Sequence, residues 1–170
     1  MIERLEPNPA VVEQLEKITG RVSRYFKKPV GKTLSYEQFL ERPLPPYDMQ
    51  YSNSLLIPIS IPKEHEPFVL EQMEKAKTLL EYSDFSNCGF MFANTQMSWH
   101  TNSNLPGWRT YYIKGGGTFK YLDAEGNQQV DQDNDEGWTA RRFKVTEDPL
   151  FWHAVYAKTN RFSFGFYNPF

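Results

Sequence analysis

The chain has 170 residues, of which 39% are apolar and 24% charged, and its formal net charge is −2. This balance is typical of one soluble domain with a sizeable core, and it gives no sign of the basic face used in general nucleic-acid binding. A single cysteine, Cys88, excludes a disulfide framework within the chain and argues against a thiolate metal site. No apolar run reaches the roughly 18 residues of a membrane span. The N-terminal segment contains acidic residues early and lacks the long apolar core of a signal peptide, so a cytoplasmic location is expected.

Two short helices are predicted in the first forty residues. The segment PNPAVVEQLEKITG has Asn8 as a cap, a proline in the first turn and Gly20 at its end. Its apolar face consists of Val11, Val12, Leu15 and Ile18. The segment SYEQFLE begins with Ser35 and Gln38 at capping-box spacing, which predicts a second helix.

An irregular stretch, a strand and a longer helix are predicted next. The prolines of RPLPPYD are incompatible with a regular helix or strand there. The segment SLLIPISI is predicted to be a strand, and Pro58 places it at the edge of a sheet or at an irregularity. A helix over roughly residues 63–82 is predicted from apolar side chains at helical spacing, and we expect it to cover a sheet. These side chains are Phe68, Val69, Met73, Ala76, Leu79 and Leu80.

After residue 85 the pattern changes to short aromatic segments such as GWRTYYIK and RFSFGFY, separated by turn sequences such as NLPG and KGGG. Aromatic residues make up 16% of the chain, which also favours β-structure. The sequence therefore predicts a mainly β fold with supporting α-helices, as a sandwich or barrel. We expect a single domain over 1–170, in which 1–84 supply helices and edge strands and 85–170 form the β-core.

The acidic segment DQDNDEG, residues 131–137, is predicted to be a solvated loop. A calcium loop is a weaker alternative. Asp131, Asp133 and Asp135 alternate as at the start of a helix-loop-helix calcium site, but the later glutamate and the flanking helices are missing.

The chain has three histidines, and two of them are candidates for a site. His65 stands among acids at the start of the long helix, where an exposed or capping role is expected. His100 and His153 each follow a tryptophan at the edge of a β-segment, and strands distant in sequence become neighbours in a rolled sheet. We therefore expect both imidazoles to face one interior site, and Trp99 and Trp152 to pack outward.

Two neutral imidazoles and a carboxylate on one face of the metal are the mark of non-haem Fe(II) oxygenases. The carboxylate is expected two residues after the first histidine, on the same side of an extended segment. Asn102 stands at that position, and its amide is a neutral, weaker ligand.

The segment RFSFGFY predicts a strand with two different faces. Alternation places Arg161 and Ser163 on one face and the three phenylalanines on the other. An inward arginine requires an anion, and its fork matches a carboxylate, to which a serine hydroxyl can add a third hydrogen bond. The alternative is an arginine that reaches to the barrel rim.

Taken together, HTN, WHAV and RFS resemble the motif of the 2-oxoglutarate-dependent Fe(II) oxygenases, whose fold is the double-stranded β-helix, or jelly roll. The resemblance covers roughly residues 87–167. It implies His100 and His153 as iron ligands, with Asn102 at the position of the usual carboxylate. It also implies that Arg161 pairs with the distal carboxylate of 2-oxoglutarate, with Ser163 assisting.

The strand GWRTYYI offers further candidates. Tyr111 or Tyr112 could hydrogen-bond the co-substrate, and alternation allows only one of them to point inward. Arg109 could hold an acidic substrate or lock the neighbouring loop. Each of these side chains is otherwise expected to be part of the core or of cross-strand pairs.

The predicted activity is a dioxygenase that uses Fe(II) and 2-oxoglutarate to hydroxylate a primary substrate, whose identity the sequence leaves open. The alternative, motivated by Asn102, is a catalytically impaired binding or interaction module on the same fold. A cupin-like isomerase or lyase ranks last, because its metal sites usually draw on more histidines than this chain has. The loops around the opening of the site, which would select a substrate, contain no motif that identifies it. The sequence does not indicate the oligomeric state either.

Overall fold

The computed structural model describes residues 2–25, 35–45, 57–58 and 64–170. Most of the regular structure is β, arranged in two antiparallel sheets with a few helices. The strands are β1 (Ile2–Leu5), β2 (Ile57–Pro58), β3 (Asp84–Met91), β4 (Thr95–His100), β5 (Gly107–Lys114), β6 (Gly117–Leu122), β7 (Gln128–Gln132), β8 (Trp138–Val145), β9 (His153–Ala157) and β10 (Arg161–Pro169). The helices are α1 (Pro9–Val22), α2 (Tyr36–Leu40) and α3 (Glu66–Leu79), and a 3₁₀ turn (Ser23–Tyr25) follows α1.

Strands that follow one another in the chain mostly enter different sheets. The six-stranded sheet has the order β1-β8-β5-β10-β3-β2, and the four-stranded sheet has the order β4-β9-β6-β7. This arrangement makes β4 and β9 neighbours, although four strands separate them in the chain. It is this long-range pairing that brings the two candidate histidines together.

The outer face of the six-stranded sheet is covered by α1 and α3. Phe162, Phe164 and Phe166 of β10 pack into the same buried cluster as Leu15 of α1 and Met73 of α3. The predicted division of this strand is therefore confirmed, since its phenylalanines face the helices. Its polar positions are left to face the space between the two sheets.

The short helix α2 covers the four-stranded sheet. Its capping box is present as predicted, with Ser35 and Gln38 bonded to each other's backbone amides. Phe39 packs with Trp99, and the partly buried Trp152 lies against the same cluster. Both tryptophans thus face outward, as predicted.

Several predicted boundaries differ from the structure. Helix α1 continues past Gly20 to Val22, because Val22 is buried and extends the apolar face. Helix α3 is shorter than predicted, and Leu79 is 45% exposed rather than part of the packed face. Strand β1 was not predicted, since a four-residue edge strand gives too short a pattern to detect.

Other predictions fall partly outside the described residues. Of the predicted strand SLLIPISI, only Ile57–Pro58 is described, and it is the edge strand β2, as the proline indicated. The second half of RPLPPYD also lies outside the described residues, and its described part is neither helix nor strand. His65 directly precedes α3, with its Nε2 3.7 Å from the carboxylate of Glu64. No helix in the described ranges is long and apolar enough to cross a membrane.

Candidate functional site

His100 and His153 lie side by side on the inner face of the four-stranded sheet. They are direct cross-strand partners, with a bulge in β4 just before His100, and their ring centroids are 4.1 Å apart. The Nδ1 atom of His100 is 2.7 Å from the carbonyl oxygen of Ser98, and that of His153 is 3.1 Å from the carbonyl oxygen of Phe151. A carbonyl can only accept, so each Nδ1 carries the proton and each Nε2 keeps its lone pair.

The surroundings keep both imidazoles neutral. Burial lowers the pKa of His100, although its hydrogen bond to Ser98 works in the opposite direction. Burial also lowers the pKa of His153 well below its ordinary value, and the nearby His100 and Arg109 lower it further. Both side chains are therefore in the neutral form of imidazole, which is the form that can bind a metal ion.

Asn102 completes this group of side chains. It stands two residues beyond the end of β4 with a φ of 55°, a left-handed conformation that asparagine adopts more readily than most residues. Its Nδ2 is 3.1 Å from Nε2 of His153, so the amide donates to the lone pair that would otherwise face a metal.

The residues present fit a metal with nitrogen and oxygen ligands. The two histidines offer unprotonated Nε2 atoms, and rotation of the Asn102 amide would offer its oxygen in place of its nitrogen. In the described ranges, no three His, Cys, Asp or Glu side chains come together as a metal site. The group at the histidines therefore consists of two imidazoles and an amide, without a carboxylate.

A cavity of about 130 Å³ lies between the two sheets at this point. One buried water needs roughly 10–15 Å³ of such space, so the cavity has room for a small organic ligand. Six of the eight predicted site residues line it: His100, Asn102, Tyr111, His153, Arg161 and Ser163.

The other two predicted residues lie outside the cavity lining. Tyr112 faces the helices, where its hydroxyl accepts a hydrogen bond from the backbone amide of Asn8, so Tyr111 is the inward member of the pair. Arg109 donates to the carbonyl oxygen of Leu105 and stacks on the Tyr167 ring. Of the two roles considered for Arg109, these contacts match the one that locks the loop before β5.

Arg161 faces the cavity as predicted, but its anionic partner comes from the chain itself. Its Nε donates to Oδ2 of Asp133 at 2.7 Å, and Nη2 of Arg141 donates to Oδ1 of the same carboxylate at 2.6 Å. Burial alone would raise the pKa of Asp133, but the two guanidiniums outweigh it and hold that pKa below its ordinary value. Asp133 is therefore a buried, charged group between two arginines.

This arrangement corrects the prediction for the acidic segment 131–137. Asp133 is buried rather than solvated, residues 131–132 belong to β7, and the exposed loop is confined to residues 134–137. The calcium alternative also fails here, because Asp131 pairs with Arg4 and Arg141 while both oxygens of Asp133 bind arginines.

Arg141 is the functional candidate that the sequence predictions missed. It lies on β8, is 1% exposed, lines the cavity, and its guanidinium carbon is 5.0 Å from the centroid of the Phe119 ring. Alternation along TARRFKV places Arg141 on one face with Phe143 and puts Arg142 on the other. An arginine in phase with a core phenylalanine is the signal that could have identified it.

No protein-family model matches this chain, and no curated protein shows significant sequence similarity to it. The site is accordingly defined by its own chemistry. The four-stranded sheet contributes two neutral imidazoles, and the six-stranded sheet contributes two buried guanidiniums and the Ser163 hydroxyl.

Proposed function

We propose that this protein is an Fe(II)- and 2-oxoglutarate-dependent oxygenase on a double-stranded β-helix, which hydroxylates a primary substrate still to be identified. The observation that carries the proposal is the cross-strand pair His100 and His153, which lines the same cavity as Arg161 and Ser163 and whose Nδ1 atoms both face backbone carbonyls.

The strand order supports the proposed fold. The eight strands β3 to β10 form two layers of four, β8-β5-β10-β3 and β4-β9-β6-β7, and β1 and β2 only extend the edges of the first layer. A jelly roll is likewise built from eight strands in two antiparallel sheets.

His100 and His153 would hold the iron through Nε2. Their Nδ1 protons are bound to the backbone carbonyls of Ser98 and Phe151, which fixes the orientation of both rings before any metal binds. Asn102 would have to release Nε2 of His153, after which its amide oxygen can face the metal. Because this amide is neutral, the site carries one more positive charge than a site with a carboxylate there.

When bound, Fe(II) supplies the activation of oxygen, with 2-oxoglutarate as the co-substrate that is converted to succinate and carbon dioxide. Arg161 and Ser163 would receive the distal carboxylate of this co-substrate, and Tyr111 offers a hydroxyl on the same wall of the cavity. The apolar part of the lining, which includes Phe119 and Phe143, limits the access of water to the reacting groups.

A second candidate function is a non-catalytic binding module on the same fold. Two observations favour it: the Asn102 amide bonds to Nε2 of His153, and Asp133 already pairs with Arg161. In this case the protein binds metal or 2-oxoglutarate weakly and produces no succinate.

The test is succinate formation from 2-oxoglutarate with Fe(II) and ascorbate, measured for the wild type and for His153→Ala, Arg161→Ala and Asn102→Asp. The oxygenase proposal expects turnover in the wild type that both alanine variants abolish, while the control His65→Ala retains it. If the wild type forms no succinate but Asn102→Asp does, the result supports the binding module. Absence of both metal binding and 2-oxoglutarate binding eliminates the oxygenase.

A further inference from the structure

We infer that Arg141 of β8 recognises an anion in the cavity together with Arg161, and that the ligand is a short-chain carboxylate with one carboxylate group against these arginines. The inference rests on the proposed function only in that the ligand enters the same cavity, and it requires no metal. The resemblance to the oxygenase family implies Arg161 and Ser163 for this task, so Arg141 is an addition from the structure.

Arg141 has hydrogen-bond donors that the protein leaves unused. Its Nη2 is shared between Asp133 at 2.6 Å and Asp131 at 2.8 Å. Its Nε and Nη1 are buried, and neither has a hydrogen-bond partner within the part of the chain that the structure describes. Buried donors of a charged group are normally satisfied, and Arg141 lines the cavity. An acceptor on a bound ligand would complete its hydrogen bonding.

Arg161 makes one hydrogen bond within the described part of the chain. Its Nε donates to Asp133 at 2.7 Å, and this bond holds the guanidinium in place at the start of β10. Asp133 binds both arginines, because each of its two oxygens accepts from one of them. It is thus the internal counter-charge with which a bound carboxylate would compete.

The charges of this cluster indicate how much anionic charge a ligand should bring. Three guanidiniums, those of Arg4, Arg141 and Arg161, face the two carboxylates of Asp131 and Asp133. The buried groups Arg141, Arg161 and Asp133 carry one positive charge in excess, while Arg4 and Asp131 pair at the edge of the cluster with side chains 37% and 22% exposed. Solvent screens the buried charge only weakly. A single carboxylate would neutralise it.

The remaining lining suits a short aliphatic chain attached to that carboxylate. Phe119 lies beside Arg141, and Met91, Met97 and Ile113 add further apolar surface. A small mono- or dicarboxylate matches both the charge and the lining, with its far end directed to the imidazoles of the opposite sheet.

The test is calorimetric titration of metal-free protein with 2-oxoglutarate, succinate and succinamide, the last being a neutral isostere of succinate. We expect the wild type to bind the two anions and not succinamide. Arg141→Met should weaken anion binding about 10- to 100-fold, the effect of losing hydrogen bonds from a charged donor. The matched control is Arg142→Met, because Arg142 is the next residue of β8 and stacks on Trp108 instead. It should bind like the wild type.

Asp133→Asn gives a second readout that unfolding cannot imitate. It removes the internal counter-charge, so we expect roughly tenfold tighter succinate binding and a melting temperature that succinate raises more than in the wild type. Circular dichroism establishes the fold of each variant, and Arg141→Lys replaces Arg141→Met if the latter does not fold. Lysine keeps the charge but lacks the fork, so it should also bind succinate more weakly.

Three results would overturn the inference: wild-type affinity in a folded Arg141 variant, equal binding of succinamide, or unchanged or weaker succinate binding by folded Asp133→Asn. A loss confined to Arg161→Met would also assign the anion to Arg161 alone, and the proposed oxygenase would stand. Conversely, anion binding that depends on Arg141 without Fe(II)-dependent succinate formation would refute the oxygenase and leave the anion site intact.

Discussion

Replacement of Asp133 with asparagine removes one negative charge from a position where two guanidiniums bind it. The carboxylate accepts from Arg141 at 2.6 Å and from Arg161 at 2.7 Å, and its side chain is fully buried. A hydrogen bond to a charged group contributes about 1.5–3 kcal/mol, and removing one partner of a buried ion pair costs about 3–5 kcal/mol. Because the amide oxygen of asparagine can still accept from one arginine, we expect a loss near the lower end, about 3 kcal/mol.

The assay is reversible thermal unfolding followed by circular dichroism. In a domain of this size, about 3 kcal/mol corresponds to a melting temperature lower by roughly 6–12 °C. The control is Asp135→Asn, an exposed acid in the same loop, which should change the stability by less than about 0.5 kcal/mol. If Asp133→Asn lowers the stability by less than about 1 kcal/mol, or no more than the control does, the buried charge cluster does not exist as described.

The ion pairs of Asp133 with the two arginines also make the stability of the protein depend on pH in a defined direction. The pKa of Asp133 lies below its ordinary value in the folded protein, so the unfolded chain takes up this proton first as the pH falls. The stabilisation is therefore complete above the ordinary carboxyl pKa and is lost as the pH falls through the lower folded value. Asp133→Asn should reduce this acid-induced loss, and an unchanged acid profile in the variant would argue against the assignment.

Three further predictions concern other parts of the molecule. His153 is held neutral in the folded protein, so this residue alone should lower the free energy of unfolding of metal-free protein by up to about 1.4 kcal/mol per pH unit below pH 6.5. His153→Gln should remove this contribution, and equal slopes in the two proteins would contradict the burial of this imidazole. Lys120→Met should destabilise the protein by about 1–3 kcal/mol in urea unfolding, because Lys120 donates to the Phe39 carbonyl at 2.6 Å and so holds α2 on the sheet. A variant more stable than the wild type would be inconsistent with that role. Burial raises the pKa of Cys88 to about 12, so iodoacetamide should label this thiol slowly in the native protein and rapidly in the denatured protein. Mass spectrometry follows the labelling, and equally fast labelling of both forms would show that the Cys88 thiol is not buried.

The sequence was most informative where a local pattern determines the structure. The capping residues Asn8 and Ser35 identified two helix starts, and both accept the predicted hydrogen bonds. Alternation along β10 correctly separated Arg161 and Ser163 from the phenylalanines, because successive side chains of a strand must face opposite ways.

Features that depend on long-range pairing were not predictable in the same way. Alternation states that Tyr111 and Tyr112 face opposite ways, but not which of them is inward. The answer comes from the register, since Tyr112 is the cross-strand partner of Phe164 and shares its outward face. That register is known only once the sheet has formed.

The role of Asp133 was hidden for a similar reason. In the sequence it is one of several acids in a polar segment, which normally indicates a solvated loop. Its burial depends on Arg141 and Arg161, two cations that reach it from separate strands of the six-stranded sheet. No local pattern encodes such a three-residue ion cluster.

Whether His100 and His153 bind a metal ion together can be measured by anaerobic calorimetric titration of the wild type and His153→Ala with Fe(II). We expect the wild type to bind a single ion per chain, His153→Ala to lose this binding, and the control His65→Ala to keep it. A wild type that binds no Fe(II), or Fe(II) binding that His153→Ala leaves unchanged, would show that the two histidines are not a metal site.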